Sequence, residues 1–296
     1  MISGDVWIAA WLCSSQWQWN RCTCSIMQNA MNFNEETLKK SLAGKCIGHQ
    51  LYYFPETGST NDEAFTLGIA GAPEGTVVIA DSQNKGKGRM QRLWHSPKDS
   101  NIYTSVILRP PVQLSKASQI PIAAGVAVAE VLETYCPNKV RLKWPNDVLI
   151  DGKKVCGILA QMKTSADTVD FVVLGIGINV NLSREQFPQD IREIATSLAI
   201  ETGREFSRLE LIISLYENLE KCYKKLLQKG FGPIKEKWLE LAPMIGQTVA
   251  VIFKDEAIEG KATGLDDDGS LILLTEGSKE IKISAGDATI TKRAKR

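Results

Sequence analysis

Cations alternate with glycines in one short stretch: Lys85, Gly86, Lys87, Gly88 and Arg89, followed by Arg92 and Trp94. Glycine lets a backbone come close to a ligand or take positive φ. Cations set among such residues suit concentrated negative charge, a phosphate or a transient acyl phosphate. The same residues also fit an ordinary basic hairpin loop, solvated and inert. The string is not a Walker A loop, because GxxxxGK[ST] occurs nowhere in the chain. Histidine is scarce: only His49 and His95 are present. A Ser-His-Asp or Cys-His mechanism would have to use one of them. His95 lies beside the glycine loop and reads as a loop or core residue.

Two strands must hold that loop. Residues 76–80 are apolar and β-branched, and residues 101–109 form a second such run. Upstream, Asn34 as N-cap, Glu35 and Glu36 in the first turn, and Gly44 as the stop predict a helix over 34–42. A strand over 50–54 follows. Thr60 with Glu63 fits a capping box and predicts a helix from 61 to 70. Ser59 and Thr60 either cap that helix or offer hydroxyls to a ligand at its N-terminus, and the two roles are compatible.

Downstream, residues 115–135 read as an Ala/Val-rich helix buried against a sheet, with Pro121 near its start. Residues 140–144 are a strand ended by Pro145. Residues 148–150 and 155–163 pair around Asp151-Gly152. Residues 168–179 are a long apolar strand, and Asn179 and Asn181 near its end mark a binding edge or a turn. Ser207, Glu210 and Gly230 bracket an amphipathic helix over 207–230. Pro233 opens a last helix to 241. After Pro243 only short strands remain, over 248–253, 257–263, 270–274 and 279–284, which predicts a small all-β unit.

Net charge is +1, so bulk charge draws the chain to neither nucleic acid nor an anionic membrane. Basic charge is local: residues 81–98 hold five Lys/Arg and one acid, Asp81. Seven cysteines without metal-type spacing predict no zinc site and a reducing, cytoplasmic setting. Residues 1–30 carry four of the seven tryptophans, three of the cysteines and one cation, Arg21, with no periodic pattern. Their apolar core, 6–13, is too short for a secretory signal or a membrane span. They are expected to be a functionless extension from an upstream start codon. N-terminal mass spectrometry of protein from its native gene tests this.

The run Gly86-Lys87-Gly88-Arg89-Met90-Gln91-Arg92-Leu93-Trp94 closely resembles the glycine-rich loop of biotin–protein ligases, usually GRGRxxRxW. Three further blocks agree, in the family's order: Gly58-Ser59-Thr60-Asn61, Lys143-Trp144-Pro145-Asn146-Asp147, and Gly175-Ile176-Gly177-Ile178-Asn179-Val180-Asn181. The resemblance spans 58–181 and extends weakly to about 289. It implies an α+β fold, similar to class II synthetases, with a mixed, largely antiparallel sheet and helices on one side. It also implies a C-terminal SH3-like barrel, hence a catalytic domain over 31–244 and a second domain over 245–296. The implied chemistry joins biotin to AMP, using ATP and Mg²⁺. The biotinyl group then passes to one lysine of a biotin carboxyl carrier protein of acetyl-CoA carboxylase.

Carried over residue by residue, Ser59, Thr60, Asn61 and Gln83 should bind the biotin ring. Lys87, Gly88 and Arg89 should close over biotin and the acyl phosphate, with Gly86, Arg92 and Trp94 ordering the loop around the nucleotide. Lys154, with Gly157 beside it, should pair with carboxylate and α-phosphate oxygens. Asn146 and Asn179 should lie at the nucleotide. Lys143 and Asp147 read either as a strand-end cation and a turn cap, or as catalytic groups, with Asp147 orienting or deprotonating the acceptor lysine. No metal ligand is identified. Lys87 departs from the usual Arg; charge is kept and bidentate geometry is lost.

An acyl-transfer enzyme for lipoate or octanoate would share this fold. The Gly-Lys-Gly-Arg loop, the Lys-Trp-Pro-Asn-Asp block and the barrel favour biotin. Some biotin ligases add an N-terminal helix-turn-helix and repress genes. Only the short stretch 31–58 precedes Ser59, against the roughly sixty residues such a domain takes, and residues 1–30 show no such pattern, so no operator binding is expected. A homodimer through a sheet edge stays open.

Overall fold

The computed structural model describes residues 35–253 and 256–291. The expectations for residues 1–30 and for Asn34 as a cap lie outside that range. Among the described residues seven strands form the main sheet: β1 Leu51–Phe54, β2 Val77–Ala80, β3 Ile102–Leu108, β4 Val140–Lys143, β5 Asp147–Ile150, β6 Lys153–Ser165 and β7 Thr168–Ile178. Their order is β1-β2-β3-β7-β6-β5-β4. Only β1 and β2 run parallel; every other neighbouring pair is antiparallel.

The helices are α1 Glu35–Ser41, α2 Thr60–Ile69, α3 Gln119–Glu133, α4 Leu198–Thr202, α5 Arg208–Lys229 and α6 Gly232–Leu241. Strand alternation sorts the core into two faces. Val77, Ile79, Val106, Val172 and Leu174 point into the larger core, with the buried faces of α3, α5 and α6. Val78, Ile107, Phe171 and Val173 point the other way, where Ala64 of α2 covers them. The expectation of helices on one side therefore holds for α3, α5 and α6 and needs correction for α2. Parallel strands require a crossover, and the crossover from β1 to β2 runs over the opposite face, where Phe171 and Val173 would otherwise meet water.

α5 follows its pattern closely. The Ser207 hydroxyl accepts from the Glu210 N–H at 3.3 Å. Leu211, Leu215, Leu219, Cys222 and Leu226 form the buried stripe, and Gly230 ends the helix at φ 75°.

A second sheet contains β8 Thr248–Phe253, β9 Glu256–Leu265, β10 Leu271–Leu274, β11 Glu280–Ile283 and β12 Asp287–Ile290, in the order β11-β10-β9-β8-β12, all antiparallel. Its fifth strand, β12, was not expected: Ala288 is its only buried residue, so no apolar alternation marks it. The Asp266–Gly269 turn docks this sheet on the first unit. Gln119 Nε2 donates to the Asp267 carbonyl at 2.6 Å, and Trp144 Nε1 donates to the Gly269 carbonyl at 3.2 Å. Gly269 is required there: its φ is 87°, and a Cβ would lie 2.8 Å from Ile122 Cδ1.

Candidate active site

The glycine-rich segment folds as a hairpin between β2 and β3. Gln83 N–H donates to the Ser96 carbonyl, Trp94 N–H to Gly86, and Gly88 N–H to Arg92. At its tip Met90 and Gln91 take φ of 52° and 61°, the left-handed region that non-glycine residues seldom occupy. The hairpin closes one side of a cleft of about 510 Å³, large enough for a small-molecule substrate.

The N-terminus of α2 forms the second side. Ser59 is its N-cap, but no side chain of its own caps the helix. The Thr60 N–H and hydroxyl both turn to Gln83 Oε1, at 2.8 and 3.1 Å. The expected Thr60–Glu63 capping box is thus absent. Thr60 already lies inside the first turn, and the Glu63 carboxylate accepts from the Thr57 hydroxyl at 2.7 Å instead. Gln83, from the hairpin stem, satisfies the helix from outside. Asn61 is 4% exposed. Its Oδ1 accepts from Ser105 at 2.6 Å, and its Nδ2 donates to Gln161 Oε1 at 2.9 Å and to the Leu159 carbonyl. Its amide holds the wall together.

Paired strands β6 and β7 make the floor, with Gly157 opposite Gly177. A Cβ on Gly177 would lie 2.5 Å from Trp94 Nε1, one on Gly157 2.9 Å from Trp94 Cζ3, and one on Gly175 2.0 Å from Asn61 Oδ1. These glycines exist for close approach: the Trp94 indole lies across the first two. Trp94 Nε1 is buried, with no hydrogen-bond partner among the described residues. A buried donor left without an acceptor costs about 1–3 kcal/mol.

Cations line the cleft. Lys154 Nζ is 2.7 Å from Asp147 Oδ1 and 5.4 Å from the Trp94 ring centroid. The Asp147 oxygen makes an ion pair there without an aligned hydrogen bond. Lys143 lines the cleft nearby. Lys87 reaches the rim, where Nζ pairs with Asp62 Oδ1 at 2.5 Å in the first turn of α2. Arg89 donates to Asp287 Oδ1 at 3.1 Å, to the Gly286 carbonyl at 3.1 Å and to Asn146 Oδ1 at 3.3 Å. Burial pulls its guanidinium below its ordinary value, and Asp287 and Asp147 oppose that pull. Arg92 Nη1 lies 2.6 Å from Asp287 Oδ2. The hairpin tip is therefore docked on β12 of the second sheet.

The far end is closed by residues that the sequence did not single out. Phe187, Ile191, Ile194 and Ala195 make an apolar wall. It is stitched to β6: the Lys154 N–H donates to the Ile194 carbonyl, and the Thr196 N–H to the Lys154 carbonyl. Asn179 sits at its root, with Nδ2 donating to the Thr196 carbonyl at 3.0 Å and Oδ1 accepting from Asn101. His95, also lining the cleft, contacts the Gln186 carbonyl through Nε2 at 3.0 Å.

Fifteen of the sixteen expected site residues line this cleft; Gly86 alone stands behind it, at the root of the hairpin. Sequence reasoning missed Asp287 and the apolar wall, which carry no motif. Gly175 and Gly177 stand in a recognisable block, but nothing local in the sequence marks them as the floor. The arrangement combines an apolar floor with cations from three directions. It suits bringing two anions together and stabilising the charge that develops.

Residues 53–179 match the Biotin/lipoate A/B protein ligase family, and residues 244–289 match the Biotin protein ligase C terminal domain. The chain is 40% identical over 249 residues to the Bifunctional ligase/repressor BirA of Bacillus subtilis, covering 84% of this chain and 77% of that protein. It is 33% identical to the Biotin–[acetyl-CoA-carboxylase] ligase of Paracoccus denitrificans, covering 76% and 94%. The biotin protein ligase of Aquifex aeolicus, solved in complex with biotin and ATP, superposes with a TM-score of 0.70 at 31% identity, covering 82% and 99%. The fold and cleft are those of an enzyme that ligates a small carboxylic acid to protein. The chain belongs to the biotin/lipoate A/B protein ligase family, within its biotin protein ligases.

Proposed function

We propose that this enzyme forms biotinyl-5'-AMP from biotin and ATP, and then biotinylates one lysine of a biotin carboxyl carrier protein, that of acetyl-CoA carboxylase. The observation that carries the reading is the Trp94 indole lying across Gly157 and Gly177, flanked by Lys154 and by the hairpin that bears Arg89. That floor fits an apolar bicyclic acid and sets its carboxylate among cations. In the first step a carboxylate oxygen attacks the α-phosphorus, the bond to the β-phosphate oxygen breaks, and pyrophosphate leaves. Arg89 and Lys154 offset the charge gathering between two anions. In the second step the acceptor amine attacks the acyl carbon, AMP leaves, and the amine loses a proton.

Asp147 is the group proposed to orient or take that proton. Its pairing with Lys154 gives the two steps an order: Lys154 turning to ligand oxygens frees Asp147. Ser59, Thr60 and Gln83 recognise the polar end of biotin, Asn61 fixes that wall, and Lys87 and Gly88 close over it. Arg92, Asn146 and Asn179 serve the nucleotide, whose base fits the wall of Phe187, Ile191 and Ala195. Mg²⁺ is expected on the triphosphate. Among the described residues no group of three or more His, Cys, Asp or Glu gathers to hold a metal, so the ion would arrive with the nucleotide.

The chain divides into a catalytic unit over 31–244 and an SH3-like unit over 245–296. We read it as cytoplasmic and without operator binding. Among the described residues α1 and α2 precede the hairpin, and both pack on the sheet through Leu38 and Ala64. No described helix is long and apolar enough to cross a membrane. A gel shift with upstream DNA, biotin and ATP tests the operator reading; a specific complex refutes it. The central test is mass spectrometry of a carrier domain after incubation with enzyme, ATP, Mg²⁺ and biotin, with lipoate in parallel. One biotinyl group on one lysine is expected. No gain, or gain with lipoate only, refutes the substrate reading. Arg89→Gly should release biotinyl-5'-AMP faster without unfolding the protein; an unchanged release rate would overturn its role.

A further inference from the structure

Arg208 opens α5 and lines no part of the cleft. Its placement is costly twice over. A cation at a helix N-terminus faces the positive end of the helix dipole. Its side chain is also 5% exposed, and a charge so buried persists only when paired. The pairing is specific. Arg208 Nη1 donates to Asp81 Oδ1 at 2.6 Å, and the Asp81 side chain is equally buried. The same nitrogen lies 3.3 Å from the Asn101 carbonyl, and Nη2 lies 3.5 Å from Asp99 Oδ1.

Asp81 is where the hairpin leaves β2, and Asp99 to Asn101 is where it returns to β3. One guanidinium therefore joins both stems of the hairpin at its base. From Asp81 the chain runs two residues to Gln83, which satisfies Thr60 at the mouth of the cleft. From Asn101 it continues through Oδ1 to the Val180 N–H at 2.9 Å and through Nδ2 to Asn179. Above Arg208 the outgoing stem also pairs with the 57–58 segment, through Asn84 N–H to the Thr57 carbonyl at 3.0 Å and Lys85 N–H to the Gly58 carbonyl at 2.9 Å, and the tip rests on Asp287. Arg208 is the side chain that ties the outgoing stem to the returning one at the base.

We propose that Arg208 is a positioning residue: it clamps both stems of the hairpin so that opening is confined to the tip, keeping Gln83, Trp94 and Arg89 in register with the floor. The clamp rests on the ligase reading only for its kinetic consequence. A lysine at this position keeps the charge but, as a point charge, cannot hold both stems in one plane.

The test compares wild type with Arg208→Lys and with the shape-conserving Asp81→Asn. Ile234→Val in α6, remote from the hairpin, serves as a destabilised control. Hydrogen exchange without added ligand should quicken about tenfold at the amides of Gln83, Gly88 and Trp94 in the two clamp variants. It should not quicken in the control or along β7. Release of biotinyl-5'-AMP should accelerate by a similar factor while transfer from the bound intermediate is unchanged. Unchanged hairpin exchange in either variant that melts cooperatively overturns the clamp, as does equal quickening in the control. Quickened exchange in a protein whose wild type makes no biotinyl-5'-AMP upholds the clamp and overturns the ligase reading.

Discussion

Asp287→Asn is the perturbation most closely fixed by the geometry. The Asp287 carboxylate meets Arg89 at 3.1 Å and Arg92 at 2.6 Å. The Arg89 and Asp287 side chains are 23% and 25% exposed, whereas Arg92 is 68% exposed. The Arg92 pair is therefore worth about 0.2–1 kcal/mol, and the half-buried Arg89 bond about 1.5–3 kcal/mol. Against them stand Met90 and Gln91 in the left-handed region, at about 1 kcal/mol each. Arg89 also donates to the Gly286 carbonyl and to Asn146, so docking exceeds the strain and the released tip is a minor population. Asn keeps the shape and a neutral hydrogen bond but removes the charge. A loss of about 1.5 kcal/mol follows, roughly a tenfold rise in the undocked population. Trypsin reads that population, because Lys85, Lys87, Arg89 and Arg92 are all cleavage sites and cleavage of a rapidly reclosing segment tracks the open fraction. Nicking between residues 85 and 92 should quicken about tenfold at unchanged Tm. Met90→Gly, which relieves strain while keeping the contacts, should slow it about fivefold. Equal nicking of wild type and Asp287→Asn would refute the docking argument.

Gly177→Ala places a methyl 2.5 Å from Trp94 Nε1, so the indole must lift; KM for biotin should rise about tenfold or more with little change in Tm, measured by steady-state kinetics. Lys87→Arg replaces an exposed ion pair with Asp62, so stability should move by less than about 0.5 kcal/mol while biotinyl-5'-AMP leaves more slowly. Unchanged release would mean that Lys87 already closes the loop fully. Burial, with Glu130 nearby, pushes the Cys222 thiol up to about 11. The unfolded thiol ionises near about 8.5, so this group's contribution is intact below that pH and is lost as pH rises toward 11. Urea midpoints should fall between pH 8.5 and 10.5, and Cys222→Ala should flatten that fall.

The sequence by itself determined most of the parts. Glycines alternating with cations, the Lys-Trp-Pro-Asn-Asp block and the Gly-Ile-Gly strand are local strings, and local chemistry needs no knowledge of the fold. Periodicity marked α5 and the long strands, because a buried face must repeat at 3.6 or 2 residues. Only tertiary structure decided which parts touch. Asp287 meets Arg89 across 198 residues, on a strand with one buried side chain and hence no pattern to read. Arg208 meets Asp81 across 127 residues. Gln83 replaced the expected capping box on α2 because the hairpin stem runs beside that helix. α2 took the unexpected face because the parallel crossover left Phe171 and Val173 to be covered. Periodicity states that a face is buried; chain topology chooses what buries it, and the contacts that hold this site are of that second kind.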